Sequence, residues 1–280
     1  MRAGMSGVVT VVALLAGLAP AWAQQQPGSG TTPVAGQGLR AFALWLEDAD
    51  VLQKGWAVVG VGGGVWRTVN GQQWDVAFDA GYGITDRVQV SFAMPYYQAK
   101  YDDGFQASGR GDTYLWAKIK LFDASEHAVG LAVAPLVEIL GDASLADPAL
   151  GLSRVNWALP VSVQVGTGPT RVYGTAGYFS RGAVFAAGAV ERTLTDRFTL
   201  SATLQFTHSM HDLTGTDSEA LPRSRVDATI GGSVMFAPNV GAYASIGRTI
   251  SSSGEDGATL IFNTGLTVAF DTRPKPPPAK

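Results

Sequence analysis

The chain has 280 residues, of which 15% are charged and 46% hydrophobic, with 35 Gly and no Cys. That length suits one large strand-rich domain, and the charge content is low beside the about 25% usual for soluble domains. Without Cys there are no disulfides and no thiolate metal sites, and 20 basic against 23 acidic residues give no basic patch suited to nucleic acid.

Residues 1–23 read as a secretory signal, with Arg2 as the positive region, an apolar run over residues 8–19 and Ala21-Trp22-Ala23 as the cleavage site. The apolar run is shorter than the about 20 residues a spanning helix needs. Cleavage near Ala23 removes one Arg, leaving 19 basic and 23 acidic residues and a net charge of −4 (19 − 23). No later apolar run reaches helix-spanning length, so integration into a membrane has to use strands.

Residues 24–54 are a leader. Its first part, to residue 38, is rich in Gln, Pro, Gly, Ser and Thr and reads as flexible chain. Residues 39–52, LRAFALWLEDADVL, are more apolar and fit a short helix. Two roles suit that helix: a plug inside a barrel, or a periplasmic approach to the first strand. The approach is preferred, because a plug in a narrow lumen needs tight packing.

Residues 55–270 alternate apolar with small or polar side chains almost throughout. Strands are expected near 55–66, 73–83, 88–101, 111–122, 128–140, 152–165, 170–179, 182–192, 197–209, 224–236, 240–250 and 258–270. In the stretch from Trp74 to Tyr97, Trp74, Val76, Phe78, Ala80 and Tyr82 share one face, and Asp75, Ala77, Asp79 and Gly81 the other. In the ninth strand, Phe198, Leu200, Ala202, Leu204 and Phe206 oppose Thr199, Ser201, Thr203, Gln205 and Thr207. One apolar face and one small or polar face suit a strand with lipid on one side and a polar lumen on the other.

Alternate connectors are short (83–87, 123–127, 166–169, 194–196, 237–239), and most of the others are longer and polar. Short periplasmic turns, longer outside loops and an even strand number are the sorting of outer-membrane barrels. The expected fold is therefore all-β: a single closed antiparallel up-and-down transmembrane β-barrel of 12 strands, located in a Gram-negative outer membrane.

Four segments carry a resemblance: YGITDRVQVSFAMPY, SGRGDTYLWAKIKLF, RTLTDRFTLSATLQF and SVMFAPNVGAYASIG. Over residues 54–270 the chain resembles the Gram-negative outer-membrane barrels of the phenol-degradation meta-pathway (MetA-type) and generic transporter family. The matching features are the turn from Tyr82 to Arg87, Pro95-Tyr96, and Gly111-Asp112 opening a strand. The resemblance implies an outer-membrane barrel passing small, aromatic or hydrophobic solutes. The Thr-Asp-Arg turns are expected to bond local backbone through their Asp and Thr side chains.

Carrying the alternation through all twelve strands assigns Asp75, Asp79, Asp112, Tyr114, Trp116, Lys118, Lys120, Glu138, Arg171, Tyr173, Glu191, Arg225, Asp227 and Asn263 to the lumen. They suit a narrow polar pore that selects a small solute, or equally a filled lumen whose charges pair across the barrel. Barrels of about 8 strands are filled and those of 16 or more hold a channel, so twelve leaves both open. The alternatives to a passive channel are a non-conducting structural or loop-mediated barrel and, more distantly, a lipid hydrolase. For the last, His208-Ser209-Met210-His211-Asp212 is the cluster to consider, but His208 and Ser209 point to opposite faces of a strand. No enzyme activity, cofactor or metal site is expected. The outer loops hold Asp102, Asp103, Asp142, Asp147, Asp212, Asp217, Glu219, Glu255 and Asp256 without the spacing of a dedicated cation loop.

Expected partners are outer-membrane lipid and lipopolysaccharide, a small-molecule solute and the barrel-assembly machinery. A terminal aromatic, here Phe270, resembles the signal that machinery reads, although residues 271–280, a Pro-rich periplasmic tail, follow it.

Overall fold

The computed structural model describes residues 46–102, 104, 106–141, 153–180, 182–210, 224–252 and 257–273. Twelve antiparallel strands form one sheet that closes on itself. They are β1 (Trp56–Arg67), β2 (Gly71–Thr85), β3 (Val88–Tyr101), β4 (Gln106–Arg110 continuing as Thr113–Phe122), β5 (Val129–Val133 continuing as Leu136–Ile139) and β6 (Val155–Val165). They continue as β7 (Thr170–Phe179), β8 (Ala183–Thr195), β9 (Phe198–Ser209), β10 (Ser224–Ala237), β11 (Val240–Ser252) and β12 (Leu260–Asp271). Closure is made by β1 against β12, in register from Trp56↔Asp271 to Arg67↔Leu260. A closed ladder leaves no sheet edge, and lipid tolerates no unpaired backbone groups.

Two strands are each broken once, and each break has a local cause. Both segments of β4 pair with β3. At the break, Gly111 N–H donates to the Pro95 carbonyl at 2.8 Å, and the Asp112 carboxylate accepts from Gly141 N–H at 3.0 Å. In β5 the break falls at Pro135, which has no N–H for the ladder. Its carbonyl still accepts from Ala117 N–H at 3.1 Å, while Ala134 N–H turns to the Pro160 carbonyl at 2.9 Å. The sequence pattern places a continuous strand across 128–140; the structure interrupts it at Pro135.

Side-chain facing follows the period of two. On β2 and β3, Trp74, Val76, Phe78, Tyr82, Val90, Met94 and Tyr96 are exposed on the outside, while Asp75, Gln89, Ser91 and Ala93 are buried inside. Exposed aromatics gather at both rims of the outer band. Trp74, Tyr96, Trp157 and Tyr178 lie toward the end with the long connectors, and Phe122, Phe198, Phe236 and Phe270 toward the end with the short turns. Paired aromatic girdles around an apolar band mark the two interfaces of a bilayer, and short turns mark the periplasmic end. At the long-connector rim, Trp157 and Tyr178 meet edge to face with centroids 5.9 Å apart.

The periplasmic turns use threonine. Thr85 Oγ1 accepts from Arg87 N–H at 3.1 Å, and Thr195 Oγ1 accepts from the N–H groups of Arg197 at 3.3 Å and Phe198 at 3.1 Å. Asp86 departs from expectation, because its carboxylate accepts from Lys54 N–H at 3.0 Å instead of bonding its own turn. It thereby ties the turn to the segment before β1. Between β4 and β5 a four-residue helix, α1 (Ala124–His127), is capped by Asp123, which accepts from Ser125 N–H at 2.9 Å.

The signal segment, residues 24–45 and residues 274–280 lie outside the described residues. So do all the outer-loop carboxylates named above except Asp102, together with His211 and Asp212. Residues 46–52, the described part of the expected helix, are not helical. The N–H groups of Glu47, Ala49 and Leu52 donate to side chains of the barrel wall.

Candidate functional site

The site is assembled where residues 46–54 cross the barrel interior at its periplasmic half. Lys54 is held to Asp86. Leu52 N–H donates to the Gln89 side-chain carbonyl at 2.8 Å, and the Leu52 side chain packs with Val58 and Ala269. The chain passes so close over Gly83 that a Cβ there would stand 2.6 Å from the Leu52 carbonyl oxygen. On the far wall, Ala49 N–H donates to the Gln164 side chain at 3.3 Å. Glu47 is held twice by the Thr175 hydroxyl, which accepts from its N–H at 3.0 Å and donates to its carbonyl at 2.8 Å. Leu46, the first described residue, lies in a buried cluster with Tyr173, Ala187 and Ala189.

Three carboxylates on this segment meet two cations of the wall. Lys118 Nζ lies 3.1 Å from Asp48 Oδ1 and 3.5 Å from Glu47 Oε2. Arg171 lies 3.4 Å from Asp48 Oδ2 and 3.8 Å from Asp50 Oδ2, and donates to Glu191 Oε2 at 2.6 Å. The Asp48 carboxylate thus bridges an ammonium and a guanidinium. Asp50 also accepts from the Gln164 amide at 3.2 Å, and Asp48 Oδ1 accepts from Asp50 N–H at 3.2 Å, which turns the segment. With Lys118 only 4% exposed, such a pair is weakly screened, and removing one partner strands the other.

The sequence-assigned positions fall into distinct groups. Lys118, Arg171, Tyr173 and Glu191 come together here, with Tyr173 O–H donating to Glu191 Oε1 at 2.7 Å. Asp75 and Asp79 lie on the opposite wall, where Gly60 and Gly64 make room for them: a Cβ on either would stand 2.7 Å from an Asp carboxylate oxygen. Asn263 is buried beside Gly64 and donates to Ser245 at 3.5 Å. Trp116 and Tyr114 belong to an apolar cluster with Ala93, Leu136, Ala158, Phe179 and Phe185, on the long-connector side of Lys118.

Five of the positions are engaged elsewhere. Lys120 pairs with Asp123 at the periplasmic turn. Asp112 serves the break in β4. Arg225 donates to Asp227 at 2.9 Å and lies over the Trp66 ring at 4.3 Å, while Asp227 also accepts from Thr249 at 2.6 Å. Glu138 is fully buried near the long-connector end of β5.

Sequence reasoning missed two things. The apolar ledge of Leu136, Phe179 and Phe185 has an inner-face signal in the alternation, but of this cluster only Tyr114 and Trp116 were assigned to the lumen. The carboxylates of residues 47–50 carry no strand signal at all. His208, considered with Ser209, instead shares a 2.7 Å hydrogen bond with Ser224 of the neighbouring strand and stacks on Phe206 of the outer face.

No protein-family model and no curated protein matches this chain. Among solved structures it is similar to the COG4313 outer membrane channel from Pseudomonas putida F1, with a TM-score of 0.62 and 15% identity over 80% of this chain and 98% of that one. The fold is an outer-membrane β-barrel. It is also similar to the KdgM porin (TM-score 0.52, 10% identity, 75% of this chain and 99% of that one) and the NanC porin (0.52, 9%, 75% and 98%). A closed barrel with an apolar outer band between two aromatic rims and a charged interior belongs in the outer membrane, surrounded by its lipid.

Proposed function

We propose that the chain is a passive channel for small solutes, occluded in its resting form by residues 46–54. One observation carries the reading: Lys118 takes its counter-charges, Glu47 and Asp48, from a segment outside the barrel wall. Wall charges that neutralise one another keep an interior filled for good. A tethered segment can withdraw without breaking a single strand pair, and its departure uncovers Lys118 and Arg171.

The solutes proposed are small and aromatic or otherwise apolar. Support comes from the ledge of Trp116, Phe179 and Phe185 along the same path and from the motif resemblance to MetA-type barrels. Lipopolysaccharide and the barrel-assembly machinery are the proposed partners at the outer leaflet and during insertion. The ion-paired interior favours a second reading, a non-conducting structural barrel. Liposome swelling separates the two. Proteoliposomes of the folded protein in an impermeant osmolyte should swell in small sugars faster than protein-free liposomes, and equal rates would reject the channel.

A further inference from the structure

The Leu46–Asp50 stretch is an apolar side chain followed at once by carboxylates, and the wall answers each part. Leu46 fills a seat formed by Tyr173, Ala187 and Ala189. Next to that seat, Lys118 and Arg171 hold Asp48 from both sides at 3.1 and 3.4 Å. The two halves are joined by Tyr173 itself, whose ring lies 5.9 Å from the Arg171 guanidinium. Gln164 and Thr175 supply the remaining polar contacts.

We propose that Lys118, Arg171 and the adjoining seat of Tyr173, Ala187 and Ala189 are a binding site for a small carboxylate with an apolar body, which the chain's own Leu46–Asp50 stretch occupies at rest. A carboxylate solute entering past the Trp116, Phe179 and Phe185 ledge meets the cations directly after an apolar surface. It competes with Asp48 for the same two donors and with Leu46 for the same seat. The charge-assisted contacts of a guanidinium and an ammonium select the carboxylate, and the seat selects the apolar body. Ligand and segment exclude each other, so binding one must weaken the other by the same factor. This deepens the channel reading by naming the solute class.

The barrel offers a direct readout of segment position. A Cβ at Gly130 would lie 3.1 Å from the Ala49 Cβ, close to the about 3.5–4.5 Å a disulfide spans, and the chain has no Cys of its own. In the Ala49→Cys/Gly130→Cys protein, the rate of oxidative cross-linking reports how often the segment is seated. At fixed ionic strength, sodium benzoate should slow cross-linking about fivefold or more relative to sodium chloride, within the usual range for coupled binding. Benzamide, which lacks the charge, and acetate, which lacks the apolar body, should each do far less.

Benzoate no better than chloride on a barrel of normal heat-modifiable mobility would overturn the site. Benzamide equal to benzoate would overturn the role of the cations, and acetate equal to benzoate would overturn the role of the seat. Lys118→Gln in the same background should cross-link more slowly without solute and lose its response to benzoate; a retained response would place the site elsewhere. Cross-linking involves no flux, so a barrel that binds benzoate yet leaves liposomes unswollen would refute the channel and keep the site.

Discussion

Asp48 and Lys118, 70 residues apart in sequence, meet at 3.1 Å inside the barrel. Their contact joins a segment that precedes the first strand to the fourth strand of the wall. It is the clearest sign that the interior is occupied by a part of the chain that the sheet does not need. From this pair the occlusion can be loosened without touching the ladder.

Asp48→Asn should therefore leave the barrel assembled and raise its permeability. The substitution removes the charge shared by Lys118 and Arg171, while Glu47 and Asp50 stay in place. Planar-bilayer recordings should show open steps several-fold more often than in the wild type, with the same step size. An unchanged open frequency would mean that these ion pairs do not hold the segment.

Gly83→Val tests the other anchor. Backbone crosses directly over Gly83, and any side chain there must push it away. The expected result is a barrel of normal heat-modifiable mobility whose residues 46–54 become sensitive to added protease. A protected segment in a folded Gly83→Val barrel would contradict the crossing.

The outer face makes a separate prediction. Ile230 sits midway along β10 and is 65% exposed. Ile230→Arg should cost about 2–4 kcal/mol of folding free energy in lipid, the penalty for a charge at the bilayer midplane. Equilibrium unfolding from phosphatidylcholine bilayers measures it, and a cost near zero would place Ile230 away from the bilayer midplane.

These tests lean unequally on what the sequence displays. The strands were legible because lipid outside and a closed interior force a period of two, which Phe198 to Phe206 and Leu260 to Phe270 carry without interruption. The break at Pro135 was legible as chemistry, since proline cannot donate, but the apolar run on either side of it masked the interruption. The role of residues 46–52 was not legible. Their pattern of Leu46, Ala49 and Leu52 matches a helix face, and only side chains far away in sequence (Gln89, Gln164 and Thr175) make the extended form better by bonding its amides. Likewise, nothing near His208 pointed to Ser224, because the cross-strand register alone brings them together.

The most direct measurement of the central claim is single-channel conductance of the Ala49→Cys/Gly130→Cys protein, oxidised and then reduced in the same bilayer. The account predicts a silent channel while the segment is tied to the wall and intermittent openings, at the frequency of the untethered barrel, once dithiothreitol releases it. Equal conductance before and after reduction, with the disulfide verified by mass, would contradict occlusion by this segment. Silence in both states from a folded barrel would contradict the channel itself.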